Sequence, residues 1–210
     1  MWRLSPDGKV SVLGRETLAA QRIRALAFDG KGARLAAGAS DGSVHVWSIG
    51  ADGIRAEGSS RAVQPSEINV IAFSPDDATL ATGAEDSTIA FWSLPQLEIH
   101  REFTEHRSGV VSLAFCRAGS EPRLYSSDRD GEVIARLSLR DPRHTRTLME
   151  SFGRPRYLAV TPDCRRVVTS GATALAWNVE ADYVRGEACQ LADTGATVLA
   201  ACGGPPANRR

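Results

Sequence analysis

The stretch NVIAFSPDDATLATGAEDSTIAFWSL, Asn69–Leu94, holds three short apolar runs: Val70–Phe73, Thr79–Gly83 and Thr88–Trp92. Ser74-Pro75-Asp76-Asp77 separates the first two, and Ala84-Glu85-Asp86-Ser87 the second and third. Pro presets φ for a turn, while Asp and Ser bond back to their own backbone. The runs are too short for helices and rich in Val, Ile, Thr and Phe. The stretch therefore predicts a three-stranded antiparallel meander with two tight turns.

The same pattern recurs on both sides. Upstream, Arg24–Ile49 reads RALAFDGKGARLAAGASDGSVHVWSI, and Phe28 to Phe73 and Trp47 to Trp92 are each 45 residues apart. Asp41 and Asp86 each stand six residues before their Trp. Downstream, Val111–Ser138 places Phe115 42 residues after Phe73 and Asp130 44 after Asp86. A fourth copy, Tyr157–Val179, ends its first run at Val160 and carries Trp177. A self-similar period of this length is the mark of a repeat architecture.

These four in-register copies resemble WD40 repeats. The resemblance implies an all-β fold in which each repeat supplies four strands and packs radially as one blade of a β-propeller. The fourth, outer strand is weakly marked; Gly53–Glu57, Glu98–Phe103 and Arg143–Met149 are the candidates. Trp2 lies 45 residues before Trp47, so the chain begins inside a repeat, with Lys9–Leu13 as its outer strand. The expected domain is 1–202, with repeats at roughly 1–14 (partial), 15–58, 59–103, 104–149, 150–187 and 188–202 (partial). The Pro/Gly tail 203–210 is expected to be disordered. Two registers compete near the end. Either Thr197–Ala201 is a first strand, or Ala188–Ala192 and Thr197–Cys202 are a first and second strand. The second register lets the termini share a blade and close a five-bladed ring. The first implies an open arc, and the preserved period favours it. Proximity of Trp2 to Val198 would decide.

The third copy departs most: Arg136 stands at the Trp position, and an insertion, Arg117–Pro122, lengthens its first turn. An Arg136→Trp change is expected to stabilise the protein unless Arg136 has its own partner, Asp130 or Glu132 being the candidates. The fourth copy is shortened at 171–173 and lacks the turn Asp.

Composition excludes several function classes. There are 25 Lys plus Arg against 25 Asp plus Glu, a formal net charge of zero, which argues against a general polyanion binder. The sequence has no apolar run long enough to cross a membrane and no signal-peptide core at its start, so a cytoplasmic location is expected. Only Lys9 and Lys31 are Lys, which we read as the codon bias of a GC-rich bacterial genome. Cys116, Cys164, Cys189 and Cys202 form no Cys-x-x-Cys pair and have no His cluster beside them. They are expected to be small apolar residues and not zinc ligands. Cys189 and Cys202 are the pair that neighbouring strands would bring together.

In the family, a hydrogen-bond relay joins a His before the first strand, a Ser or Thr in the second, an Asp in the next turn and the Trp of the third. Carried over by position, the second copy has Thr82, Asp86 and Trp92, with Gln64 at the His position. The third has His106, Ser126 and Asp130, with Arg136 at the Trp position. The first has Asp41 and Trp47, with Ala19 and Ala37 at the others. The fourth has Thr169 and Trp177. No copy is complete. Such a relay satisfies buried polar groups that otherwise cost about 1–3 kcal/mol each, so these residues are structural.

No Gly-x-Ser-x-Gly elbow or phosphate loop appears. The first strands contain no His, Asp or Glu to line a central channel. Asp128-x-Asp130 lacks the further ligands of a calcium loop and is expected to be a solvated turn. His45 is expected to pack, and His100 and His144 to be exposed. No cofactor, metal or small-molecule ligand is expected, nor a nucleic-acid or membrane partner. The resemblance implies a protein-binding scaffold or sensor module and not an enzyme. The alternatives are a propeller enzyme with a channel site and a truncated gene product. By family position, the docking face comprises Arg24, Ser40, Gln64, Glu67, Glu85, Arg107 and Arg129, with Arg107 and Arg129 placed to grip a carboxylate or phosphate.

Overall fold

The structure, a computed structural model, describes residues 2–4, 7, 9–12, 14–15, 22–51, 53–59, 64–119, 121–139, 145–149, 157–170, 174–179 and 189–190. A two-stranded ribbon of β1 (Trp2–Leu4) and β2 (Val10–Val12) comes first. Four antiparallel sheets of four strands follow, each joined in simple sequence order. The first holds β3 (Ile23–Phe28), β4 (Arg34–Ala39), β5 (Val44–Gly50) and β6 (Gly53–Ser59). The second holds β7 (Ile68–Phe73), β8 (Thr79–Ala84), β9 (Ile89–Ser93) and β10 (Glu98–Phe103). The third holds β11 (Val110–Ala118), β12 (Glu121–Asp128), β13 (Val133–Arg136) and β14 (Thr145–Met149). The fourth holds β15 (Tyr157–Val160), β16 (Arg166–Ser170), β17 (Ala174–Asn178) and β18 (Cys189–Gln190). The first strands of consecutive sheets, β3, β7, β11 and β15, pack against one another in turn, as expected of blades arranged radially.

Turn chemistry sets this order. Asp29, Ser74 and Thr161 follow the first strand of their sheets, and each accepts from a backbone N–H four or five residues on. The bend then passes through Gly32, Asp77 or Cys164, all with φ between 56 and 67°. The ladders repeat down to their irregularities. In the first three sheets the first strand skips one residue in register, at Arg24, Asn69 and Val111. Each is a β-bulge that turns one side chain out of the alternation.

Three apolar clusters fill the three seams between sheets. Ile68, Ile71 and Phe73 of β7 are buried against Ala36, Val44 and Val46 of the preceding sheet. Gly38 and Gly83 admit this approach: a Cβ there would lie 2.4 Å from Ile68 and 2.5 Å from Val110. On β3 the corresponding Leu26 and Phe28 are 62% and 57% exposed.

Three expectations are corrected. The insertion Arg117–Pro122 does not make a long turn: Arg117 pairs Pro122 and Ala118 pairs Glu121, so it extends the hairpin. Cys189 and Gln190 pair Ala176 and Leu175, so they form the outer strand of the fourth sheet and not the first strand of another. The fourth repeat thus reaches past 187, and the register that supplied a five-bladed ring loses its first strand. The third correction concerns cysteine. Cys116 and Cys164 are buried as expected, but they form a disulfide across the seam between the third and fourth sheets. Residues 197–202, the tail 203–210, His144 and Ala19 lie outside the described residues, and with them the Trp2–Val198 test and the pairing of Cys202.

Candidate functional site

In the second sheet the relay is whole, with an amide where the imidazole was expected. Trp92 Nε1 donates to Thr82 Oγ1 at 2.9 Å, and Thr82 donates to Gln64 Oε1 at 2.7 Å. Gln64 Nε2 donates to Thr88 Oγ1 at 3.0 Å, and Thr88 donates to Asp86 Oδ1 at 2.7 Å. Gln64 is 1% exposed, which removes it from the docking face. An amide carries both a donor and an acceptor, so it bridges two hydroxyls without a change of charge.

The first sheet runs a different chain. Ser43 donates to Asp41 Oδ1 at 2.6 Å and meets His45 Nε2 at 3.0 Å. The His45 ring stacks on Trp47, centroids 5.9 Å apart. Burial lowers the His45 pKa, and Asp41 only partly opposes it. In the fourth sheet Thr169 is buried. Trp177 pairs Val167 through its backbone, and its side chain lies outside the described part.

The third sheet is the most altered. His106 Nε2 lies 2.7 Å from Ser126 Oγ, and Arg136 Nη1 donates to the same oxygen at 3.2 Å. Arg136 is 1% exposed, pairs with Glu105, and lies 4.4 Å over the Phe103 ring. Arg136 therefore has its own partner, which is neither Asp130 nor Glu132, and the motive for Arg136→Trp disappears. Burial lowers the Arg136 pKa, and Glu105 opposes that shift. Glu105→Ala should lower the unfolding free energy by about 1–2 kcal/mol, below the full loss for a buried pair because Glu105 is part-exposed. Urea denaturation checks this; an unchanged midpoint would mean that Ser126 and Phe103 hold Arg136 alone.

Asp130 does not reach the imidazole. Asp128 does, its Oδ2 lying 3.4 Å from His106 Nδ1, with Glu132 Oε2 at 3.5 Å. Asp128 is fully buried, so only the Asp130 half of the pair is a solvated turn. Burial lowers the His106 pKa, with Asp128 acting the other way. Repeat-by-repeat comparison carried the signal for these acids. Asp128 stands where Ala39 and Ala84 stand, and Glu132 where Ser43 and Thr88 stand. Ser126, His106 and Asp128 have the connectivity of a hydrolase triad. All three side chains are buried, however, so no substrate reaches the hydroxyl.

The expected docking face forms a half-exposed band. In the first three sheets the turn after the second strand bonds the segment before the first: Ser40 N to Arg22 O at 2.8 Å, Glu85 N to Glu67 O at 2.9 Å, and Arg129 N to Gly109 O at 3.0 Å. Ion pairs link neighbouring sheets, Arg24 to Glu67 at 3.4 Å and Arg129 to Glu85 at 2.5 Å. Arg107 is exposed on the same segment. Because Arg129 already holds Glu85, it is not a free half of a two-arginine clamp.

The family model for the WD domain, G-beta repeat, matches residues 15–48 and 60–93. These spans are the first two copies; the third and fourth, with Arg136 for Trp and a shortened turn, fall outside the match and still fold as the same sheet. No curated protein matches the chain. The two matched spans and the four successive four-stranded meanders identify the chain as a WD40-repeat protein with a β-propeller-type fold.

Proposed function

We propose that this chain, as WD40 repeats generally do, mediates protein–protein interaction, as a scaffold or sensor module whose partner docks on the band formed by Arg24, Ser40, Glu67, Glu85, Arg107 and Arg129. The observation that carries this reading is the alignment of three turns and their neighbouring entry segments along one edge, with both charge signs half-exposed. Half-exposed pairs contribute little to folding, yet their charges remain available to steer and orient a partner. A partner with alternating charge and many hydrogen-bonding groups fits this band. Among the described residues, the relay groups Thr82, His106, Ser126 and Thr169 are buried, which favours a binding module over an enzyme.

The test begins with cross-linking in the native cell and identification of the captured protein. Binding of that protein is then measured for the parent chain and for Arg107→Glu with Arg129→Ala. Loss of affinity by tenfold or more, with an unchanged circular dichroism spectrum, is expected. Undiminished binding removes this edge. A cytoplasmic location is part of the proposal, and the Cys116–Cys164 bond bears on it, because disulfides persist chiefly in oxidising compartments. Alkylation of thiols in intact cells, before lysis, reports which state the cell maintains.

A further inference from the structure

The buried polar cluster of the third sheet sets a ring nitrogen against two carboxylates. Ser126 Oγ accepts from Arg136 Nη1 at 3.2 Å and lies 2.7 Å from His106 Nε2, and its own hydrogen has two acceptors in reach, that ring nitrogen and the Ile134 carbonyl at 3.5 Å. A cation at Nδ1 selects the tautomer in which Nε2 donates to Ser126. A neutral imidazole with Nε2 protonated presents a bare lone pair at Nδ1. That atom faces Asp128 Oδ2 and Glu132 Oε2, which are acceptors only when ionised.

The Asp128 carboxylate is held in place by its other oxygen. Asp128 Oδ1 accepts from the backbone N–H groups of Asp130, Gly131 and Glu132 at 3.1, 2.9 and 2.9 Å. Its Oδ2 and His106 Nδ1 are buried with no hydrogen-bond partner. Arg136 acts on Glu132 electrostatically, but its guanidinium is bonded to Glu105 and Ser126. Three carboxylates, Glu105, Asp128 and Glu132, thus surround one guanidinium and one imidazole. The second repeat solves the same place with Gln64 and Thr88 and brings no charge.

We propose that His106 Nδ1, Asp128 Oδ2 and Glu132 Oε2 form a binding site for one divalent transition-metal ion of the zinc class. Bonds of 2.0–2.1 Å at tetrahedral angles set ligand atoms about 3.3–3.4 Å apart. The two gaps from Nδ1 are 3.4 and 3.5 Å, and all three atoms lie within 4.8 Å of one another. A ring nitrogen with two oxygens suits zinc and its neighbours and not calcium, which takes six to eight oxygens. The Ser126 contact gives the ring the outer-shell partner that ligating imidazoles have. Glu132, with its side chain 12% exposed, marks the side from which an ion enters.

The experiment uses the full chain dialysed against EDTA and titrated with zinc chloride by calorimetry, with thermal melting in parallel. One zinc per chain and a raised melting temperature, reversed by EDTA, are expected. Cobalt(II) in place of zinc should give the intense visible bands of a four-coordinate ion. Glu132→Gln and His106→Gln should each weaken zinc binding by tenfold or more, and His100→Gln should leave it unchanged. His106→Gln copies Gln64 of the second repeat; should it fail to fold, Glu132→Gln at the mouth of the site carries the test. Absence of zinc binding overturns the proposal and leaves a proton on Nδ1 as the bridging cation. Binding that both Glu132→Gln and His106→Gln leave undiminished also overturns it.

Discussion

Gly42→Ala should lower the unfolding free energy by about 2–5 kcal/mol, whereas Gly32→Ala at a similar φ should cost only about 1 kcal/mol. Both glycines lie in the left-handed region, with φ of 81° at Gly42 and 67° at Gly32. Around Gly32 an added Cβ meets nothing within 4 Å. At Gly42 it would lie 1.9 Å from the Gln64 carbonyl oxygen and 3.0 Å from that of Ser66. Those are backbone atoms, so no rotamer change relieves the clash. Ser87 occupies the same turn position in the second repeat at φ 75°, which shows that left-handed backbone alone is tolerated there. The difference between the two variants, read from paired urea melts, isolates the clash. Equal losses would mean that the segment carrying Gln64 moves aside at little cost.

Opening the Cys116–Cys164 bond should lower stability by about 4 kcal/mol on chain-entropy grounds, since it closes 48 residues of sequence. The seam between the first two sheets is clasped differently at the corresponding places. Between the first and second sheets, Gly30 N donates to Asp77 Oδ1 at 3.0 Å and Arg34 Nη2 to the Asp77 carbonyl at 2.6 Å. Asp77 and Cys164 share the left-handed turn position, and Cys116 occupies the repeat position of Asp29 and Ser74, here inside the lengthened β11. Cys116→Ser with Cys164→Gly inserts the residues that other repeats use at these places. Denaturation of the parent with and without reductant, beside the double variant, checks the estimate. Identical curves would show that the Arg117 N to Pro162 O bond at 3.2 Å and the apolar seam suffice.

Strand order and turn positions were legible because period-two apolar runs and Pro/Asp/Gly turns are local signals. Even the weak outer strands at Glu98–Phe103 and Thr145–Met149 were foreseen within a few residues. The polar interior was less legible, because its logic depends on which partner a side chain reaches. Gln64 aligns with the family's His and also with the docking face; only its amide contacts show it to be the buried centre of the relay and no part of that face. Asp130 aligned with the turn Asp, yet Asp128, two residues earlier, caps three N–H groups and turns inward. Glu105 pairs with Arg136 across 31 residues, a contact that no spacing rule announces. The disulfide escaped for the same reason: its cysteines occupy unlike positions in two different repeats.

The bulge at Arg24, Asn69 and Val111 has a bearing on how such a chain assembles. Its extra residue is outside the ladder, so its identity is free of the pairing rules that constrain its neighbours. Arg24 uses that freedom to reach Glu67 of the following sheet, and Asn69 reaches Glu85 and the Val110 carbonyl. Near-identical modules risk docking on the wrong sibling during synthesis, the common failure of repeat chains. At the first two seams one position free of the ladder, filled differently each time, thus marks a blade's proper successor without altering the sheet that builds it.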